Sequence, residues 1–271
     1  MNKPLISIVT ISYNQGKYLT ECLNSVASQN FRNFEHIVVD DGSTDGSREI
    51  IKSFGDKVVP IFKDNSGPPD SLNKGFEAAQ GKIFGYINSD DYLLKNTLQY
   101  VVELFNKYKD NDVIYGNGII VGSDSNFCKR MISKPFTMEK YKFQRSLICQ
   151  QATFFNSSAF KSVGGFNIEN RSSWDFELFA DMFVNNFSFK KVDTYLGAFR
   201  IYPGTLTGSK DKTISKINHK RMFKKYFNKN FTFMDKLFIS FYYLVDRILN
   251  VTFYIQKTND FIKFKKKIQV K

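Results

Sequence analysis

Cysteine is scarce in this chain: Cys22, Cys128 and Cys149 are the only three, and none sits in a CxxC spacing. That count builds neither a disulfide framework nor a zinc site, so each thiol is expected to be a small buried hydrophobe in a reducing compartment. Histidine is scarcer still, at two residues, His36 and His219. Two distant histidines exclude an HExxH helix and leave little material for a Ser-His-Asp triad. His36 opens an apolar run and reads as structural. No GxxxxGK[ST] loop occurs, and Gly116-x-Gly118 lacks the third glycine of the dinucleotide fingerprint. There is no uninterrupted apolar run of the ~20 residues a spanning helix needs. Nor does a charged segment, an apolar stretch and a cleavage site follow Met1, so no secretory signal is read. Acidic residues are sparse in one region only. Residues 1–208 carry 23 basic and 22 acidic side chains, whereas residues 209–271 carry 16 and 4, so +12 of the net +13 lies in the last 63 residues.

Of the 271 residues, 42% are hydrophobic and 16% aromatic, including 29 Phe, which supplies a core and excludes a disordered chain. Leu5–Ile11 is a short β-branched run that reads as a strand buried on both faces. Leu19, Cys22, Leu23 and Val26 then recur at helical spacing. His36–Val39, Val58–Phe62 and Ile83–Ile87 read as further strands, with Pro60 placing its strand near an edge. The helices between them are expected to be capped by Ser43 or Thr44, by Asp70 and by Asn96. Four strand–helix units make an α/β domain with a mostly parallel sheet. After Val113 the alternation loosens into a mixed half, with strands at Val113–Val121 and Gln151–Phe155 and a helix over Trp174–Val184. Gly204–Lys212 reads as a linker.

In open α/β sheets ligands bind beyond the carboxyl ends of the strands. There the chain places Ser12-Tyr13-Asn14, then Asp40-Asp41-Gly42-Ser43, then Asn88-Ser89-Asp90-Asp91. Paired carboxylates repel one another when desolvated, and a divalent cation or ribose hydroxyls would relieve them. Asp and Asn are also ordinary turn residues, so both readings stand on composition alone.

The order and spacing of several motifs are more specific. SIVTISYNQGKYL (7–19), VVDDGSTDGS (38–47), DSLNKG (70–75), INSDD (87–91), QQATFF (150–155), VGGF (163–166), DFEL (175–178) and FRIYPGT (199–205) together resemble the family 2 glycosyltransferases of GT-A fold, bacterial polysaccharide-building enzymes among them. The resemblance spans about residues 4–208. It implies a nucleotide-diphosphate sugar donor, a UDP-sugar in the first instance, a glycan or lipid-linked acceptor, inversion at the anomeric carbon and Mn2+ or Mg2+. By position it puts Thr10, Ser12, Tyr13, Asn14, Asp40, Asp41, Ser43, Asp70, Lys74, Asn88, Ser89 and Asp90 at the donor, and Asp90 and Asp91 at the metal. It puts Trp174 and Gln151 at the acceptor, and makes Asp175 the general base. Asn88 stands where the family often has Asp, and Tyr202 where relatives often have His. Glu177 reads as supporting or structural.

The expected organisation is therefore a catalytic domain over 1–208, with a nucleotide-sugar half (1–112) and an acceptor half (113–208), and a basic helical tail over 209–271. In the tail, Leu237, Phe238, Phe241, Leu244, Val245 and Ile248 oppose Lys236, Ser240, Arg247 and Asn250, and Lys263 and Lys265–Lys267 follow. That pattern suits a helix lying in an anionic membrane interface, at the cytoplasmic face; packing on the body or on a partner, including a homodimer, is the other reading. Nucleic acid is not expected as a partner. A nucleotidyltransferase would need a glycine-rich basic loop after the first strand, and an inactive binding or scaffold protein would keep the sheet and lose the chemistry.

Overall fold

The computed structural model describes residues 3–142, 148–203, 205, 213–249 and 251. The sequence-read linker lies mostly outside them, and the polybasic end wholly so. The first half runs β1 (Ile6–Ser12), α1 (Gly16–Ala27), β2 (Phe34–Asp41), α2 (Ser47–Ser53), β3 (Val59–Lys63), α3 (Pro68–Ala78), β4 (Ile83–Asn88), β5 (Tyr92–Leu93) and α4 (Thr97–Lys107). The second continues with β6 (Val113–Val121), β7 (Phe127–Met131), α5 (Met138–Lys142), β8 (Thr153–Asn156), α6 (Ser157–Ser162), α7 (Trp174–Val184), β9 (Phe189–Arg200), α8 (Thr213–Phe227) and α9 (Phe233–Leu249).

One sheet carries both halves, in the order β3-β2-β1-β4-β8-β6-β9-β5, with β7 on β6. β1 lies between β2 and β4 and pairs parallel with both, which is why all seven of its residues are buried and its sequence is nearly continuous apolar. β3 is the exposed edge that Pro60 required. The sheet turns mixed at β8, which runs antiparallel to β4 and β6. Alternation sorts the side chains onto two faces. Ile6, Ile8 and Ile87 meet Cys22 and Val26 of α1 and Leu98 and Val101 of α4. Val9, Ile11, Ile37 and Val39 meet Leu72 and Phe76 of α3, together with Phe84, Phe155, Phe160 and Phe166. Helix α3 sits so close to the sheet that a Cβ on Gly75 would come 2.5 Å from Val9 Cγ1.

Two capping expectations need correction. The N-cap of α2 is Gly46 in the left-handed region, φ 89°, while Ser43 Oγ accepts from Asn14 N–H and the Thr44 N–H donates to Asn14 Oδ1. The N-cap of α3 is Gly67, with Pro68 starting the helix and Asp70 in its first turn. Asn96 does occupy the N-cap of α4, but its amide oxygen accepts from Asn30 Nδ2 at 2.5 Å instead of from the helix.

The tail also divides differently from the sequence reading. α8 is part of the body: Met222 and Phe223 are buried, and Arg221, Lys225 and Tyr226 bond α7. The turn after it stacks Phe223, Phe227, Phe231 and His219. A reciprocal cap starts α9, with Thr232 N–H donating to Asp235 at 3.0 Å and Asp235 N–H to Thr232 Oγ1 at 3.3 Å. α9 turns an apolar face to solvent, at Phe233, Leu237, Phe238, Phe241, Leu244 and Ile248. Among the described residues no helix is long and apolar enough to cross a membrane.

Candidate active site

The strand ends of β1, β2 and β4 form one rim, since Ser12 is in register with Asp40, and Ile11 with both Val39 and Asn88. The loops after β1 and β2 are stitched together. Asn14 N–H donates to Ser43 Oγ at 2.9 Å, Thr44 N–H to Asn14 Oδ1 at 2.8 Å, and Gly16 N–H to Asp45 Oδ2 at 2.9 Å. Asn14 and Ser43 therefore shape the rim. Tyr13 is 50% exposed on it, a flat face open to a ligand.

The carboxylates of the second loop face inward. Asp40 accepts from Ser43 N–H at 3.1 Å and Arg48 Nε at 2.7 Å, which ties α2 to the strand end. Asp41 accepts from Lys63 Nζ at 2.7 Å, Ser66 N–H at 3.0 Å and Gly67 N–H at 2.8 Å. Burial alone would raise the Asp41 carboxyl, but these donors bring it below the ordinary value. Asp70 shares Lys63 and Ser66 and is likewise lowered, with 41% of its side chain exposed at the rim. Lys74 is exposed and paired with Glu77 at 2.7 Å.

Thr10 lies inside: its hydroxyl is 2.8 Å from His36 Nε2, fully buried on the α1 face. Burial lowers His36 to about 3, which keeps the ring neutral.

In the third loop the two aspartates separate. Asp91 is buried, with Oδ1 accepting from Arg200 N–H at 2.8 Å and Oδ2 from Gln151 Nε2 at 2.7 Å and Asn88 Nδ2 at 3.3 Å. Both oxygens are taken by protein, and desolvation beside Asp90 raises its carboxyl well above the usual range. Gln151, expected as an acceptor contact, is 5% exposed and its amide serves Asp91. Ser89 is buried as well and holds its loop by an N–H bond to Ile11 O at 3.1 Å. Asp90 is the carboxylate this loop offers to the crevice. Burial raises it, and Tyr202 Oη lies 3.2 Å from its Oδ2.

Behind that loop stands a residue the sequence reading passed over. Arg200 is 1% exposed, and its guanidinium bonds Asp90 O at 2.7 Å, Gly122 O and Ser125 Oγ at 3.0 Å, and Glu21 at 2.6 Å. It also lies 4.5 Å from the Tyr18 ring centroid. The signal was present in FRIYPGT: an arginine ending a strand among apolar neighbours must find partners for five N–H donors.

Asp175 occupies the second turn position of α7, beside Trp174 and near Tyr86 of β4. It is partly exposed, no side chain among the described residues bonds it, and desolvation lifts its carboxyl to about 6. The Tyr86 hydroxyl and Asn88 Oδ1 are buried and unpartnered, and Tyr86 and Asn88 project from the same face of β4. Among the described residues no three His, Cys, Asp or Glu side chains could hold a metal ion unaided. Asp90 is the hard oxygen ligand that could hold a divalent ion such as magnesium, with the remaining ligands coming from outside the protein.

The chain itself has counterparts among known proteins. An uncharacterized glycosyltransferase of Rickettsia prowazekii is 30% identical over 187 residues, 66% of this chain and 59% of that protein. Glycosyltransferase GlyG of Streptococcus pneumoniae is 36% identical over 162 residues, 58% and 54% of the two chains. This chain thus spans less than two thirds of the length of those relatives. The crystal structure of S. aureus TarS 1-349 in complex with UDP superposes with a TM-score of 0.58 at 25% identity, covering 73% of this chain and 61% of that one. The fold is GT-A. The family model for glycosyl transferase family 2 matches residues 7–164, more than half of the chain, and the chain belongs to that family.

Proposed function

We propose that the protein is an inverting glycosyltransferase that moves a sugar from a UDP-sugar to a hydroxyl of a glycan or lipid-linked acceptor. The observation that carries this reading is Asp175: a partly exposed carboxylate at the start of α7, without a side-chain partner among the described residues and pushed up to about 6 by desolvation. An acceptor hydroxyl is a poor nucleophile until its proton leaves, and a base of raised pKa takes that proton near neutral pH. The acceptor oxygen then bonds the anomeric carbon as the bond from that carbon to the β-phosphate oxygen breaks; the proton passes to Asp175 and the nucleoside diphosphate leaves. Tyr13 offers a stacking face to the base, and Asp70 and Asn88 Oδ1 remain for donor hydroxyls. Trp174 is mostly buried and steadies Asp175, with its edge left for acceptor contact. A divalent ion at Asp90 supplies charge neutralisation at the diphosphate. UDP in the TarS complex supports the choice of nucleotide. The exposed face of α9 and the basic end of the sequence support a place at an anionic membrane surface, where a lipid-linked acceptor resides.

The test is calorimetric titration of UDP with and without Mn2+. Wild-type protein is expected to need the ion, and Asp90→Asn to lose that dependence. UDP binding equally well in chelator would refute the metal assignment.

A further inference from the structure

We infer that α8 belongs to the catalytic unit: by gripping Glu177, its Arg221 and Lys225 hold the first turn of α7 and so place the Asp175 carboxylate two residues earlier. The inference rests on the reading of Asp175 as the base. It concerns a segment that lies wholly beyond residues 7–164, the span of the family model.

Glu177 is 1% exposed, and its two oxygens are saturated. They accept from Asn167 Nδ2 at 3.1 Å, Asn170 Nδ2 at 2.7 Å, Arg221 Nη1 at 2.9 Å and Nη2, and Lys225 Nζ at 3.2 Å. The Arg221 fork is bidentate, which fixes direction as well as distance. Burial alone would raise the Glu177 carboxyl, but Arg221 and the two asparagine amides bring it down to about 2, so it stays ionised across the working range.

The grip continues along both helices. One turn earlier on α8, Asn218 Nδ2 donates to Ser172 Oγ at 2.9 Å, in the loop that leads into α7. One turn later, Lys225 pairs with Asp181 at 2.7 Å, and Tyr226 Oη lies 2.8 Å from Asp181 Oδ1 and 3.1 Å from Glu177 O. Three successive turns of α8 thus hold residues 172–181.

α7 needs an outside hold because it does not cap itself. Its N-cap, Ser173, makes no side-chain bond to the helix. Asn170 Oδ1 instead accepts from the Ser172 and Ser173 N–H groups, at 3.4 and 3.1 Å, while its Nδ2 is fixed by Glu177. The chain of support therefore runs Arg221, Glu177, Asn170, then the turn that starts the helix. Asp175 has no side-chain anchor of its own among the described residues, so its placement follows that turn.

The role assigned to Arg221 is positioning, with no contact to substrate. Arg221→Gln is expected to lower kcat for UDP release from UDP-sugars by about 10–100-fold, as for a reacting group displaced by about 1 Å, and to leave the Kd for UDP within about twofold. Hydrogen exchange at the amides of Phe176, Glu177 and Leu178 should accelerate while that of β1 and β4 does not. The neutral pair Glu177→Gln with Arg221→Gln should restore most of the turnover, and Lys191→Gln, which breaks an exposed ion pair with Asp193, should change nothing. Wild-type exchange in α7 of Arg221→Gln, or loss of UDP affinity along with turnover and no recovery in the double variant, would overturn the inference. Asp175→Asn separates the two readings: if it retains turnover, the base is elsewhere, whatever Arg221 does.

Discussion

Asp175→Asn should make the enzyme slower and the fold more stable. Asp175 titrates at about 6 in the folded chain against an ordinary 3.8. Between those two values the folded state holds a proton that the unfolded chain has released, so the fold loses stability as pH rises through the window. At 1.36 kcal/mol per pKa unit the full penalty above pH 6 is about 3 kcal/mol, and the partial exposure of the side chain trims it to about 1–2. An amide carries no charge at either pH and escapes the penalty. Urea unfolding should therefore find Asp175→Asn more stable than wild type by about 1–2 kcal/mol at pH 8 and equal to it near pH 3.5. Turnover at pH 8 should fall by about 10²–10⁴-fold, the usual loss for a missing general base, with UDP affinity kept. A variant as active as wild type, or one whose stability difference is the same at both pH values, would refute the reasoning.

Arg200→Met should cost about 2–3 kcal/mol in urea unfolding, because it orphans the buried acceptors at Asp90 O and Gly122 O; the part due to Glu21, itself 42% exposed, is small. Loss of that cation should also raise Asp90 further, so Mn2+-dependent UDP binding by this variant should fail at a higher pH than in wild type when followed by calorimetry down the pH scale. Vesicles of anionic phospholipid should co-sediment the full chain, less at high salt. The triple change Phe238→Ser, Phe241→Ser and Leu244→Ser, at positions 56%, 65% and 55% exposed, should abolish that binding without moving the thermal midpoint. Retained binding, or a dimer that this variant dissolves, would remove the membrane reading.

The first half of the fold was legible because β1, β2 and β4 are buried on both faces and the helices beside them on one, and burial writes itself into periodicity. The strand ends were legible as a rim for the same reason. Which side chain on that rim does what was not legible, since sequence fixes alternation but not partners. Asp40 and Asp41 look alike in the chain, yet one faces Arg48 on α2 and the other Lys63 and the start of α3. The helix caps were missed where a loop had a stronger use for its polar residues, as with Ser43 bonding Asn14. The packing of α8 on the body was not legible, because α8 has a weak apolar stripe and many lysines. Its docking depends on ion pairs to Glu177 and Asp181, carboxylates 40 or more positions earlier.

The division of labour among the carboxylates follows from the cost of burying charge. A buried carboxylate must be bonded or lose its charge. Asp40, Asp41 and Glu177 take the first course, each met by a cation, and they set the shape of the loop after β2 and the pose of α7. Asp91 takes the second: it is buried against Asp90 with only neutral donors on its oxygens, and its carboxyl rises. Asp90 and Asp175 have no cation bonded to their carboxylates among the described contacts, and both are raised. Two such carboxylates, one on the loop after β4 and one at the start of α7, would gain from a ligand that brings positive charge to one and a proton to the other. On the proposed reading, a metal-bound nucleotide and an acceptor hydroxyl would supply those two things.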